Sequence, residues 1–136
     1  MRRYAIYYES RLGRNDGNPL YVWNELKRRQ IAGELDVDHL APTGDLRPFG
    51  KYDAHFWVDW GEDGLKGILP YEPIIPDQRP LVYWASDTHL GYDYRLATAR
   101  KADVVFCAQR RAVEEFKRDG FPNAIWLPHA VEPQAY

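Results

Sequence analysis

Hydrophobic positions in this chain fall into short apolar runs separated by stretches with helical spacing, and the pattern is clearest from Leu81 to Pro133. Leu81 to Ala85 is a compact apolar run, followed by Leu90, Tyr94 and Ala97 at i, i+4 and i+7. That spacing predicts a strand and then a helix. Asp103 to Ala108 holds Val104, Val105 and Phe106, the composition of a buried strand. Val113 and Phe116 then mark the apolar stripe of a further helix, whose opposite face carries Arg110, Arg111, Lys117 and Arg118. Gly120 followed by Pro122 predicts its end, and 124–127 the next strand.

The first half of the chain repeats this rhythm less regularly. Residues 3–8 (RYAIYY) predict the first strand, and 9–17 (ESRLGRNDG) a loop. Asn18 before Pro19 is a helix start, and the helix to about residue 30 buries Leu20, Trp23 and Leu26. Strands are expected over 35–40 and 53–60. The prolines at 70, 73, 76 and 80 predict an irregular excursion before the fourth strand. Strands alternating with single helices imply parallel pairing. The expected fold is α/β, a doubly wound parallel sheet of about six strands in the order 3-2-1-4-5-6, with helices on both faces.

Composition narrows the picture. A chain of 136 residues is read as one domain, able to bury roughly two thirds of its unfolded surface. The formal net charge of −2 gives no electrostatic case for nucleic acid or an anionic membrane. Five Trp and ten Tyr exceed what a core needs and suit carbohydrate or protein contacts as well. The single Cys, Cys107, sits in a predicted core strand as a small hydrophobe, and one cysteine makes no disulfide framework. No apolar run approaches the roughly 20 residues of a membrane span. The Met-Arg-Arg start leads into a strand and not a signal sequence, so a cytoplasmic location is expected.

In a doubly wound sheet, ligands collect outside the carboxyl ends of the strands. The residues nominated there are Glu9, Gly13, Asn15, Asp16 and Gly17 after strand 1, Trp60 after strand 3, Ser86, Asp87 and His89 after strand 4, Gln109 and Arg110 after strand 5, and His129 after strand 6. Gly13 and Gly17 lack the Lys of a phosphate loop, so the turn either faces a ligand with its amides or is an ordinary loop. Asp87 either orients His89 or caps the following helix. His39 and His55 lie in or beside strands and read as packing histidines. Ser86-Asp87-Thr88-His89 resembles the first metal motif of calcineurin-like metallophosphoesterases. Those enzymes also need a Gly-Asn-His segment, which this chain lacks, so no metal or other cofactor is expected.

A wider resemblance covers residues 81–136. Lys101-Ala102-Asp103-Val104-Val105-Phe106, the helix Ala112-Val113-Glu114-Glu115-Phe116 ending at Gly120, and Leu127-Pro128-His129-Ala130-Val131-Glu132-Pro133 resemble the N-terminal domain of two-domain, Rossmann-like (GT-B) glycosyltransferases. The group that includes spore-maturation glycosyltransferases is the nearest in pattern. Ala108-Gln109 departs from it, since the family usually places Ser or Thr there to cap the helix.

The resemblance implies transfer of sugar from a nucleotide-sugar donor to a carbohydrate or other hydroxyl acceptor. It makes residues 1–136 the acceptor-side half, which depends on a C-terminal donor domain or pairs as a homodimer. His89 matches the histidine that contacts the transferred sugar, with Asp87 behind it. Glu9, Asn15 and Asp16 are expected to meet acceptor hydroxyls. The competing class is a non-catalytic Rossmann-like binding or assembly module.

Overall fold

The computed structural model describes residues 1–7, 18–40, 52–58, 78–86, 88–89 and 91–129. In chain order these form β1 (Arg3–Tyr7), α1 (Asn18–Ile31), β2 (Asp36–Leu40), β3 (Ala54–Val58), β4 (Leu81–Ala85), α2 (Tyr92–Ala99), β5 (Val104–Cys107), α3 (Arg110–Arg118) and β6 (Ala124–Trp126). All described strand pairs are parallel, in one six-stranded sheet ordered β2-β1-β3-β4-β5-β6. The α/β class and the parallel sheet agree with the sequence reading.

The strand order does not. The expected order put the third strand at the far edge, beside the second. Instead β3 lies between β1 and β4, with Tyr4 opposite Ala54 on one side and His55 opposite Leu81 on the other. Burial explains the placement. His55, Trp57 and Val58 are all buried, and they project to both sides of the sheet. An interior strand satisfies that pattern, and an edge strand leaves part of it in water. The reversal of winding therefore falls between β1 and β3.

Alternate residues of each strand separate into two cores, because side chains along a strand point to opposite faces. On one face Ala5, Tyr7, Trp57, Tyr83, Val105 and Cys107 pack with Ala99 of α2 and with Ala112, Val113 and Phe116 of α3. On the other, Ile6, Val37 and Val58 meet Val22, Trp23 and Leu26 of α1. Helices thus cover both faces, as expected. Cys107 is fully buried, and that burial pushes its thiol up to about 12.

Two elements show how local chemistry sets boundaries. In α2 the expected stripe is displaced: the helix begins at Tyr92, its apolar contacts come from Tyr92, Leu96 and Ala99, and Arg95 is buried beside them. Ala97 faces water, and Leu90 lies outside the described residues. In α3 the expected stripe holds, and the helix closes as Gly120 predicts. Gly120 takes φ +102°. Its N–H donates to the Lys117 carbonyl, that of Phe121 to the Phe116 carbonyl at 2.8 Å, and the Phe121 and Phe116 rings meet edge-on at 6.1 Å. Both closing bonds and the apolar contact across them form a Schellman cap.

At the amino ends of the strands, two aspartates lock neighbours together in the same way. Asp103 accepts from the Leu81 N–H at 2.7 Å while its own N–H donates to the Leu81 carbonyl at 2.8 Å. Asp53 does likewise with Arg3, at 2.7 Å in both directions. Asp103, one of the residues carrying the family resemblance, therefore has a structural task at the end of the sheet opposite the nominated site.

Candidate functional site

The carboxyl ends of β4 and β5 are tied together. The Ala108 N–H donates to the Ala85 carbonyl at 3.0 Å, which brings the segment after β4 against the start of α3. Thr88 is buried, and its backbone N–H and hydroxyl both donate to the Gln109 Oε1, at 3.2 and 2.8 Å. Gln109 is the residue before α3, and its side chain makes no cap to that helix. The departure from a capping Ser or Thr thus has a structural outcome: the carboxamide spans the gap to the β4 side instead.

Above this bond opens a cleft of about 490 Å³. Thr88, His89 and Tyr92 line it from the β4–α2 side, and Gln109, just before α3, with Arg111, Ala112, Glu115 and Arg118 of α3 from the other. His89 is exposed on its rim. Gly91, at φ +91°, turns the chain from His89 into α2 in a backbone conformation that side-chain-bearing residues disfavour. The Tyr92 hydroxyl donates to Asp119 Oδ2 at 2.6 Å, pinning the start of α2 to the end of α3. Burial, and then that bond, push the Tyr92 phenol up, so it stays protonated. Asp119 is held below the usual carboxylate range, first by Tyr92 and also by Arg118. Arg111 Nε donates to Glu115 Oε1 at 2.9 Å along the cleft wall.

The nominated residues do not gather in one place. His89 lines the cleft. Ser86, three residues earlier, is buried and is not part of the lining. His129 is exposed after β6, and its ring lies 5.7 Å from that of Trp84, a residue of the α1-side core. It therefore belongs to the opposite side of the sheet from the cleft. Glu9, Gly13, Asn15, Asp16, Gly17, Trp60 and Asp87 lie outside the described residues.

Sequence reasoning did not nominate Glu115; Arg111 and Arg118, expected on the face of α3 opposite its buried stripe, are 90% and 70% exposed and border the cleft from that face. The available signal was the 111, 115, 118 spacing, one stripe of α3 adjacent to the apolar 112, 113, 116 stripe. A second polar group lies deeper in the sheet. The Tyr7 hydroxyl is 2.8 Å from His55 Nδ1, and Asp38 accepts from Tyr52 at 2.8 Å and from Arg3 at 2.6 Å. None of these residues lines the cleft. Comparison with family models, curated proteins and solved structures found no match.

Proposed function

We propose that this chain is the acceptor-side half of a two-domain glycosyltransferase. In this reading it receives a sugar from a nucleotide-sugar donor held by a second domain or a second copy. The observation that carries it is the position of His89: an exposed imidazole at the carboxyl end of β4, on the rim of a cleft of about 490 Å³. That is where an open parallel sheet offers a ligand site. The motif resemblance over residues 81–136 supports the same reading.

The chemistry assigned to the site is simple. The acceptor hydroxyl loses its proton as its oxygen bonds to the anomeric carbon, and the nucleoside diphosphate leaves with the electron pair of the broken C–O bond. A neutral His89 takes that proton or holds the hydroxyl in line by a hydrogen bond. Asp87 is assigned to orient His89, and Glu9, Asn15 and Asp16 to acceptor hydroxyls.

The test is ligand-observed NMR on the chain with a panel of monosaccharides and nucleotide sugars. The reading expects saturable monosaccharide contact that is lost in His89→Ala, with nucleotide sugars binding weakly. Contact by no sugar at all sinks it. Tight, micromolar binding of a nucleotide sugar to this chain alone shows that it needs no separate donor domain.

A further inference from the structure

The His89 imidazole is exposed and makes no hydrogen bond among the described residues. A group that meets a substrate is effective only when it is held within about 0.5 Å of its working geometry. For His89 that hold has to come through the backbone that carries it.

The backbone is fixed on both sides of His89, and each fixing point leads to one end of α3. Before it, Thr88 is 3% exposed, and its N–H and hydroxyl both donate to Gln109 Oε1, at 3.2 and 2.8 Å. One oxygen therefore holds both the main chain and the side chain of the preceding residue. After it, Gly91 turns the chain at φ +91°, and its carbonyl accepts from the Arg95 N–H at 3.3 Å. The Tyr92 hydroxyl then donates to Asp119 Oδ2 at 2.6 Å. Gln109 is the residue before α3 and Asp119 the residue after it, about 15 Å apart along the helix axis at about 1.5 Å per residue. Between them, Ala112, Val113 and Phe116 seat α3 in the core. Thr88, Tyr92 and Gln109 all line the cleft.

We infer that Gln109 and Asp119 are positioning residues. With Thr88 and Tyr92 they form a two-point clamp that suspends His89 from the two ends of α3 and sets where its imidazole stands at the cleft. The task assigned to that imidazole rests on the transferase reading above; the clamp itself does not. Gln109 suits the role because its carboxamide makes no cap to α3, so its oxygen is free to reach Thr88. A Ser or Thr capping α3 would be shorter and would spend its oxygen on the helix.

The experiment is backbone 15N relaxation at Thr88 and His89 in the 136-residue chain, with saturation-transfer contact to monosaccharides measured alongside. His89 is expected to be as ordered as the sheet, with an order parameter near about 0.85 despite its exposure. Gln109→Leu removes the acceptor and Tyr92→Phe the second bond. Each is expected to lower the His89 order parameter, and both together to bring it below about 0.6. Thr88→Val, which removes only the hydroxyl bond at nearly constant shape, lowers it in the same direction, and Thr88→Ser, which keeps both donors, restores it. Asp103→Ala is the control for a merely structural role: it removes a hydrogen bond at the opposite end of the sheet and is expected to lower the urea midpoint while leaving His89 ordered. Monosaccharide contact is expected to weaken roughly tenfold or more in Gln109→Leu and in Tyr92→Phe, as displacement of a positioned group implies.

A native His89 already below about 0.6 overturns the inference. So does an order parameter left unchanged by Gln109→Leu or by Tyr92→Phe, or lowered as much by Asp103→Ala. Monosaccharide contact that survives both clamp substitutions overturns it as well. Contact by no sugar in the native chain sinks the transferase reading, and the order parameters then decide the clamp on their own.

Discussion

His55 is enclosed between aromatic rings, stacked against Tyr7 and edge-on to Tyr52, and is almost wholly buried. Burial holds its pKa below the ordinary value. The Tyr7 phenol, pushed up to about 12, keeps its proton, and its hydroxyl lies 2.8 Å from Nδ1. In the unfolded chain a histidine titrates near 6.5. Below about pH 6.5 the unfolded state therefore binds a proton that the fold refuses, and stability falls from there downward. Above that pH His55 adds no slope. Urea midpoints at pH 7.5 and 5.5 should differ in the native chain and differ less in His55→Gln; an undiminished difference would place the proton elsewhere. His89 gives the opposite expectation. It is exposed, so His89→Ala should leave the midpoint unchanged, while on the transferase proposal turnover of the assembled enzyme should fall roughly 10²-fold or more. Asp103→Ala removes the acceptor of the Leu81 N–H at the far end of the sheet. A loss of roughly 1–2 kcal/mol with ligand binding intact is expected, measurable by denaturant unfolding.

Among the elements, α3 joins stability to the site. Its apolar stripe buries Ala112, Val113 and Phe116, and the neighbouring stripe lines the cleft with Arg111, Glu115 and Arg118. Any tilt of the helix would move both. Its end is held by the Gly120 turn, where an added Cβ would meet nothing within 4 Å. The penalty for Gly120→Ala is therefore backbone strain at positive φ alone, about 1–2 kcal/mol. Phe116→Ala, by contrast, empties a fully buried site between Tyr92 and Phe121, and about 3–5 kcal/mol is expected. Thermal unfolding that ranks the two variants equally would mean that the Phe116 site collapses on truncation.

For the molecule as a whole, the exposed edge at β6 is the feature with consequences. Ile125, Trp126 and Leu127 are between 42% and 50% exposed, adjacent in sequence, and on a sheet edge. Trp126 is held in place by its indole N–H on the Ala108 carbonyl at 3.3 Å and by the Arg110 guanidinium over its ring. Consecutive apolar residues on a sheet edge favour strand-to-strand or face-to-face association. The chain is expected to self-associate at micromolar concentration, and Ile125→Lys to shift it toward monomer, read by light scattering. A monomer of about 16 kDa across a hundredfold dilution of the unsubstituted chain would remove β6 as an association surface. The interior gives no comparable expectation: no helix among the described residues is long and apolar enough to cross a membrane.

Sequence alone determined the alternation of strand and helix, the parallel class, the burial of Cys107 and the α3 stripe, and the end of α3 at Gly120. These follow from periodicity, β-branching and backbone preference, which act over a few residues. It also located His89 at a strand end, because position after a strand is a local property. Strand order was decided by tertiary structure. Nothing within Ala54–Val58 states which strands will flank it; that depends on which way the connections cross the sheet and on both its faces finding cover. The same holds for the cleft. Gln109 read as a missing cap until β4 and β5 came side by side and placed Thr88 against it. His129 shows the converse, a residue at the end of the right strand whose side chain the fold sends to Trp84 on the other face. A site built from the ends of several strands depends on their order and facing, and those are set only when the whole sheet packs.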